Sequence, residues 1–175
     1  MQKNQVMRLK RPEKKAETQI LHLSLQGLFP EGQLLVVNQQ TRTLSLLSTA
    51  PQIIMEQLLS ENEMRMIVPI LESYPHYCLY EVLLAHISSN VVTQATIERC
   101  RLRLQEAQRR GAWPQELRPI RRALSSLRNK LHAFHLEISN VRERGCSLTS
   151  WHPRPFQGNR NNSADLTMSS RAVRK

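Results

Sequence analysis

Residues 118–131 read RPIRRALSSLRNKL and place Arg118, Arg121, Arg122, Arg128 and Lys130 on one short segment. A guanidinium is a planar fork of donors that matches a phosphate, or the O6 and N7 edge of guanine, through two parallel hydrogen bonds. At about 100° per residue, Ile120, Leu124, Leu127 and Leu131 fall into one narrow stripe of a helix. Arg118, Arg121, Arg122, Ser125, Arg128, Asn129 and His132 fall on the other side. A charge run is often no more than a solvated helix face. Residues 118–134 contain no acid, however, so no Glu to Arg pair at helical spacing can neutralise this one. The chemistry on offer is anion binding, not bond making.

Other chemistries lack their residues. The chain has no Gly-rich phosphate loop, no nucleophile elbow and no paired-carboxylate motif, so it is not expected to be an enzyme or to hold a cofactor. Cys78, Cys100 and Cys146 are three widely spaced cysteines without a CxxC pair, which speaks against both a disulfide framework and structural zinc. They read as buried or half-buried thiols. His76 lies two residues before Cys78 without further ligands, and His22, His86, His132, His135 and His152 show no catalytic or metal spacing, so no metal is expected.

The 175 residues suffice for one ordinary domain with tails. Twenty-five Lys plus Arg against fourteen Asp plus Glu give a formal charge of +11, which favours a polyanionic partner. No apolar run approaches the roughly 20 residues needed to span a bilayer, and the N-terminal MQKNQVMRLKRPEKK lacks the apolar core of a signal peptide. A cytoplasmic protein without a membrane partner is expected.

Along the chain, residues 1–17 read as a flexible basic arm. Four apolar or alternating runs follow at 20–25, 33–38, 43–47 and 52–56, separated by Gly32, NQQT and Pro51, and they predict a small antiparallel sheet. Ser60, with Glu63 three residues on, is the capping box of a helix starting near 61, which Pro69 should kink and Pro75 help to end. A shorter helix is expected over 79–87. A third, over about 94–110, carries the stripe Ile97, Cys100, Leu104 and Ala107 and stops at Gly111. AWPQE then reads as a connector to the basic helix of 118–133. The stretch LEISNVRERGCSLTS predicts a two-stranded hairpin, and residues 150–175 a disordered basic tail.

Three stretches in this order resemble the winged-helix effector domain of OmpR/PhoB-type response regulators. LSENEMRMI at 59–67 is similar to the signature that opens the first helix of that family, through Leu59, Ser60, Glu63, Met64 and Ile67. RPIRRALSSLRNKL resembles its recognition helix through Arg118, Ile120, Leu124, Leu127, Arg128, Lys130 and Leu131, with Arg121 departing from the pattern. ISNVRERGCSL is similar to its wing through Ile138, Val141, Arg142, Gly145 and Leu148. Glu143 stands where the wing usually has glycine, Cys146 where it has tyrosine and Asn140 where it has threonine. The 94–110 helix is longer than the family's loop at this point. Only about 32 residues precede the first matched strand, so a receiver domain and phosphorylation in cis are not expected.

The resemblance implies an α+β fold: a winged helix-turn-helix over 18–149 with a small N-terminal antiparallel sheet, three core helices, an inserted helix and a C-terminal hairpin wing. It implies a bacterial transcription regulator that binds double-stranded DNA sequence-specifically. The expected DNA-binding residues are Arg118, Arg121, Arg122, Ser125, Arg128, Asn129, Lys130, Asn140, Arg142 and Arg144. On this reading Arg118 and Arg128 hold phosphates, Arg121, Arg122 and Ser125 approach base edges, and Arg142 and Arg144 reach the minor groove. Two rivals stay open: a protein-interaction module that docks on RNA polymerase, another regulator or a second copy of itself as a homodimer, and an RNA-binding or nonspecific nucleic-acid-binding protein.

Overall fold

The computed structural model describes residues 20–50 and 52–151; the arm expected at 1–17 and the tail from 152 onward lie outside them. The fold is α+β, with two antiparallel sheets and five α-helices among the described residues.

The first sheet is a meander of β1 (Ile20–Leu23), β2 (Leu34–Asn38), β3 (Thr43–Leu47) and β4 (Ile53–Leu58), in that spatial order. All four lie within or beside the runs expected from the alternation of apolar residues. Register aligns Leu23, Leu35, Leu46 and Met55 across one inner row and Leu21, Val37, Leu44 and Gln57 across the next. Leu35, Val37, Leu44 and Leu46 of these rows are buried and share one core with the helices.

Helix α1 (Glu61–Glu72) begins with both halves of the expected capping box. The Ser60 hydroxyl accepts from the Glu63 amide at 3.3 Å, and the Glu63 carboxylate accepts from the Ser60 amide at 2.6 Å. Pro69, the expected site of a kink, lies inside α1 as one buried residue of a single helical element. Helix α2 (Tyr80–Ser88) packs on α1, and α3 (Gln94–Arg109) packs on α2. The Thr93 side chain caps α3, and Cys100, Leu104 and Ala107 of its stripe are buried, while Ile97 is half-buried. Gly111, at φ +70°, follows the helix in the left-handed region that glycine enters without strain.

Four corrections follow. The connector AWPQE is a short helix, α4 (Trp113–Glu116), formed because Pro114 is pre-organised for a first turn. The basic helix α5 (Arg118–Leu131) is shorter than 118–133, and His132–Phe134 tighten into a 3₁₀ turn. The hairpin of β6 (Leu136–Val141) and β7 (Gly145–Ser150) is two strands of a three-stranded sheet, because β5 (Cys78–Leu79) pairs with β7 on its other side. Ser150 and Trp151, assigned to the tail by sequence, close this sheet: Ser150 pairs with Leu136, and the Trp151 amide donates to the His135 carbonyl at 2.7 Å.

Gly145 makes the third strand possible. A Cβ at this position would stand 1.9 Å from the Cys78 carbonyl oxygen, so any side chain forces β5 and β7 apart. Replacing Gly145 with Ala should lower stability by about 1–3 kcal/mol in urea denaturation; an unchanged midpoint would contradict the close approach of these strands.

Candidate nucleic-acid interface

The apolar stripe of α5 is sealed. Ile120, Leu124, Leu127 and Leu131 are each no more than 1 % exposed, and Ala123 is buried beside them. Because that edge is fixed inward, the helical repeat turns Arg118, Arg121, Arg122, Ser125 and Asn129 outward, and all five are exposed. None of the three arginines has an ion pair among the described residues, whereas Arg65, Arg101, Arg103, Arg109 and Arg110 elsewhere each lie against a glutamate. Of the seven residues expected on the outward face, Arg118, Arg121, Arg122, Ser125 and Asn129 are thus exposed, while Arg128 and His132 are half-buried.

Its two flanks are occupied by fasteners. On the α1 side, the Lys130 ammonium donates to Glu63 at 2.7 Å and to the Leu58 carbonyl at 2.9 Å. The Ser126 hydroxyl donates to the other Glu63 oxygen at 2.5 Å. Glu63 is 3 % exposed. Burial alone would raise its pKa, but hydrogen bonds from Lys130, Ser126 and Ser60 outweigh that and hold the carboxyl down at about 2. On the hairpin side, the Arg128 guanidinium donates to the Ile138 carbonyl at 2.8 Å and to the Asn140 side-chain oxygen at 2.7 Å. Arg128, Lys130 and Asn140 were expected to meet DNA; the structure gives all three partners within the chain. They set the position of α5 against β4, α1 and β6.

The hairpin tip carries further positive charge. Arg142, Glu143 and Arg144 form the exposed turn between β6 and β7, and neither arginine has an ion pair among the described residues. Glu143 sits at φ +50°, a left-handed backbone that glycine enters without strain and a side chain does not. The Arg144 carbonyl accepts from the Tyr80 amide at 3.0 Å, so the tip is also tied to the start of α2.

Sequence reasoning missed two features. The spacing of Ser60 and Glu63 predicts only a cap, yet Glu63 also anchors α5 through a lysine 67 residues away, a separation that local spacing cannot reveal. Trp151, whose Pro- and Asn-rich surroundings predict a tail, stacks on His132 at 5.0 Å and near His135 at 6.4 Å, between α5's end and the sheet. The three thiols are free and buried. Burial drives the Cys78 thiol up to about 11 and Cys146 up to about 12, so both stay protonated and inert at neutral pH. Among the described residues no three His, Cys, Asp or Glu side chains group to hold a metal ion, and no helix is long and apolar enough to cross a membrane.

Because the Glu63 pKa is lower folded than unfolded, its stabilisation is fully present above the usual value of 4.5 and fades as pH falls toward about 2. Glu63→Ala should therefore destabilise the protein by about 1–3 kcal/mol at pH 7, and the gap to the native chain should narrow between pH 4.5 and pH 2 in denaturation curves. A gap that stays constant over that window would contradict the anchoring role. Comparison with known families, curated proteins and solved structures finds no match to this chain.

Proposed function

We propose that the chain is a sequence-specific double-stranded DNA-binding protein of transcriptional regulation, acting as a winged helix of the OmpR/PhoB type. Helix α5 enters the major groove, whose width of about 12 Å admits a helix, and the tip at 142–144 lies against the neighbouring minor groove. One observation carries this reading: three exposed guanidiniums without ion pairs project from one rigid helix whose opposite edge is wholly buried. A loose basic tail attracts DNA equally at every sequence; a helix fixed on three sides can present donors in one register.

Within the exposed face the arginines divide by position. Arg121, Ser125 and Asn129 follow one another four residues apart and so share one line along the exposed face. Arg121, Ser125 and Asn129 are the candidates for base edges, with Arg121 suited to guanine. Arg118, at the beginning of the helix, is suited to phosphate. Arg128, Lys130 and Asn140 act indirectly, by holding the reading helix and the hairpin in fixed relation. No catalytic step and no cofactor belong to this reading.

Selection of bound duplexes from a random pool should return an enriched motif with the native chain. Arg121→Ala should relax preference at one or two positions by about 1–3 kcal/mol, while Arg118→Ala should weaken all sequences about equally. Indistinguishable behaviour of the two variants would refute the division, and a pool without enrichment would refute sequence-specific reading. Glu143→Gly, which relieves the left-handed backbone and removes a negative charge from the tip, should strengthen duplex binding about three- to tenfold at low salt, an electrostatic gain that shrinks as salt rises. Weaker binding in an anisotropy titration would contradict placing the tip on DNA.

A further inference from the structure

Beside α5, a cleft of about 500 Å³ opens between its first turns and the start of α1. Its exposed rim carries Asn62, Gln115, Arg118 and Arg122, and its interior Ile87 and Ala123. The one acid in its wall, Glu63, is already matched: one oxygen accepts from Ser126, the other from Lys130 and the Ser60 amide. Two guanidiniums without an ion pair among the described residues therefore set the sign of the cleft. Arg118 and Arg122 are four residues apart on one helix, so they are neighbours that repel each other until an anion stands between them.

We infer that this cleft takes one phosphate oxyanion, a backbone phosphate of the DNA strand running along the α1 side of α5, held between Arg118 and Arg122. The inference rests on α5 reading DNA and assigns Arg122 to the backbone instead of to a base. Three facts favour the backbone as the source. Both arginines belong at once to the cleft and to the exposed face of α5. A helix seated in the major groove has a phosphate strand on each flank. On the opposite flank the guanidinium of Arg128 is already held by Ile138 and Asn140, whereas Arg118 and Arg122 in the cleft have no ion pair among the described residues.

The test uses the full chain and a duplex that it selects from a random pool, with one backbone phosphate at a time replaced by a neutral methylphosphonate. At one position in the bound site, the replacement should weaken the native chain about tenfold, equivalent to about 1.4 kcal/mol. Arg118→Ala and Arg122→Ala, both at exposed positions, should be weakened already and lose less than about twofold more at that same position. Arg122→Lys, which keeps the charge but not the fork, should fall between. Equal losses for native and variant chains at every position, with sequence-specific binding intact, would overturn the phosphate site alone. Failure of the native chain to retain any duplex would overturn the DNA reading with it. Inorganic phosphate bound through these arginines, with no backbone position at which native and variant chains differ, would assign the cleft to free anions and overturn the backbone source.

Discussion

The arrangement of the molecule depends on one constraint: α5 cannot roll. Its apolar stripe is buried in the common core, Lys130 on one flank is fixed to Glu63 and the Leu58 carbonyl, and Arg128 on the other is fixed to the Ile138 carbonyl and Asn140. A rotation by one residue would expose leucines, bury arginines and break both flanking contacts together. Burying four large aliphatic side chains stabilises the inward edge by about 1.5–3 kcal/mol each, far more than any single exposed ion pair contributes. The core thus decides which side faces out, and the charged contacts refine the angle.

The same two fasteners connect α5 to both sheets. Through Leu58 and Glu63 it is tied to the end of the four-stranded sheet and the start of α1. Through Ile138 and Asn140 it is tied to β6, and β6 continues through the arginine-bearing turn into β7. Gly145 then lets β5 approach β7, which links the hairpin to α2. The two basic surfaces, α5 and the turn at 142–144, consequently belong to one framework, and rigid spacing of that kind is what separates reading a sequence from merely attracting a polyanion.

Much of this was legible in the sequence. Alternating residues in LLVVN and TLSLL, the Ser60 and Glu63 pair and the stripe of Ile120, Leu124, Leu127 and Leu131 each encode an element through a spacing shorter than two helical turns. The strand Cys78–Leu79 was not legible, because two residues carry no periodicity and the strand exists only through its partner β7. The candidate surface was readable as a list of outward positions but not as a division of labour. Arg128 and Lys130 resemble their exposed neighbours in type and position, and only contacts 10 and 67 residues away reveal that they are structural fasteners. Glu143, which the sequence resemblance sets where glycine is usual, has a φ of +50° that supplies the physical reason.

The proposed role of the α5 face is most directly tested by a residue-resolved NMR titration of the isotope-labelled chain with a selected duplex. Changes should concentrate at Arg118, Arg121, Arg122, Ser125 and Asn129 and at the 142–144 turn, with the Lys130 to Glu63 and Arg128 to Asn140 contacts kept. Changes confined to the four-stranded sheet, or to α3, would contradict it.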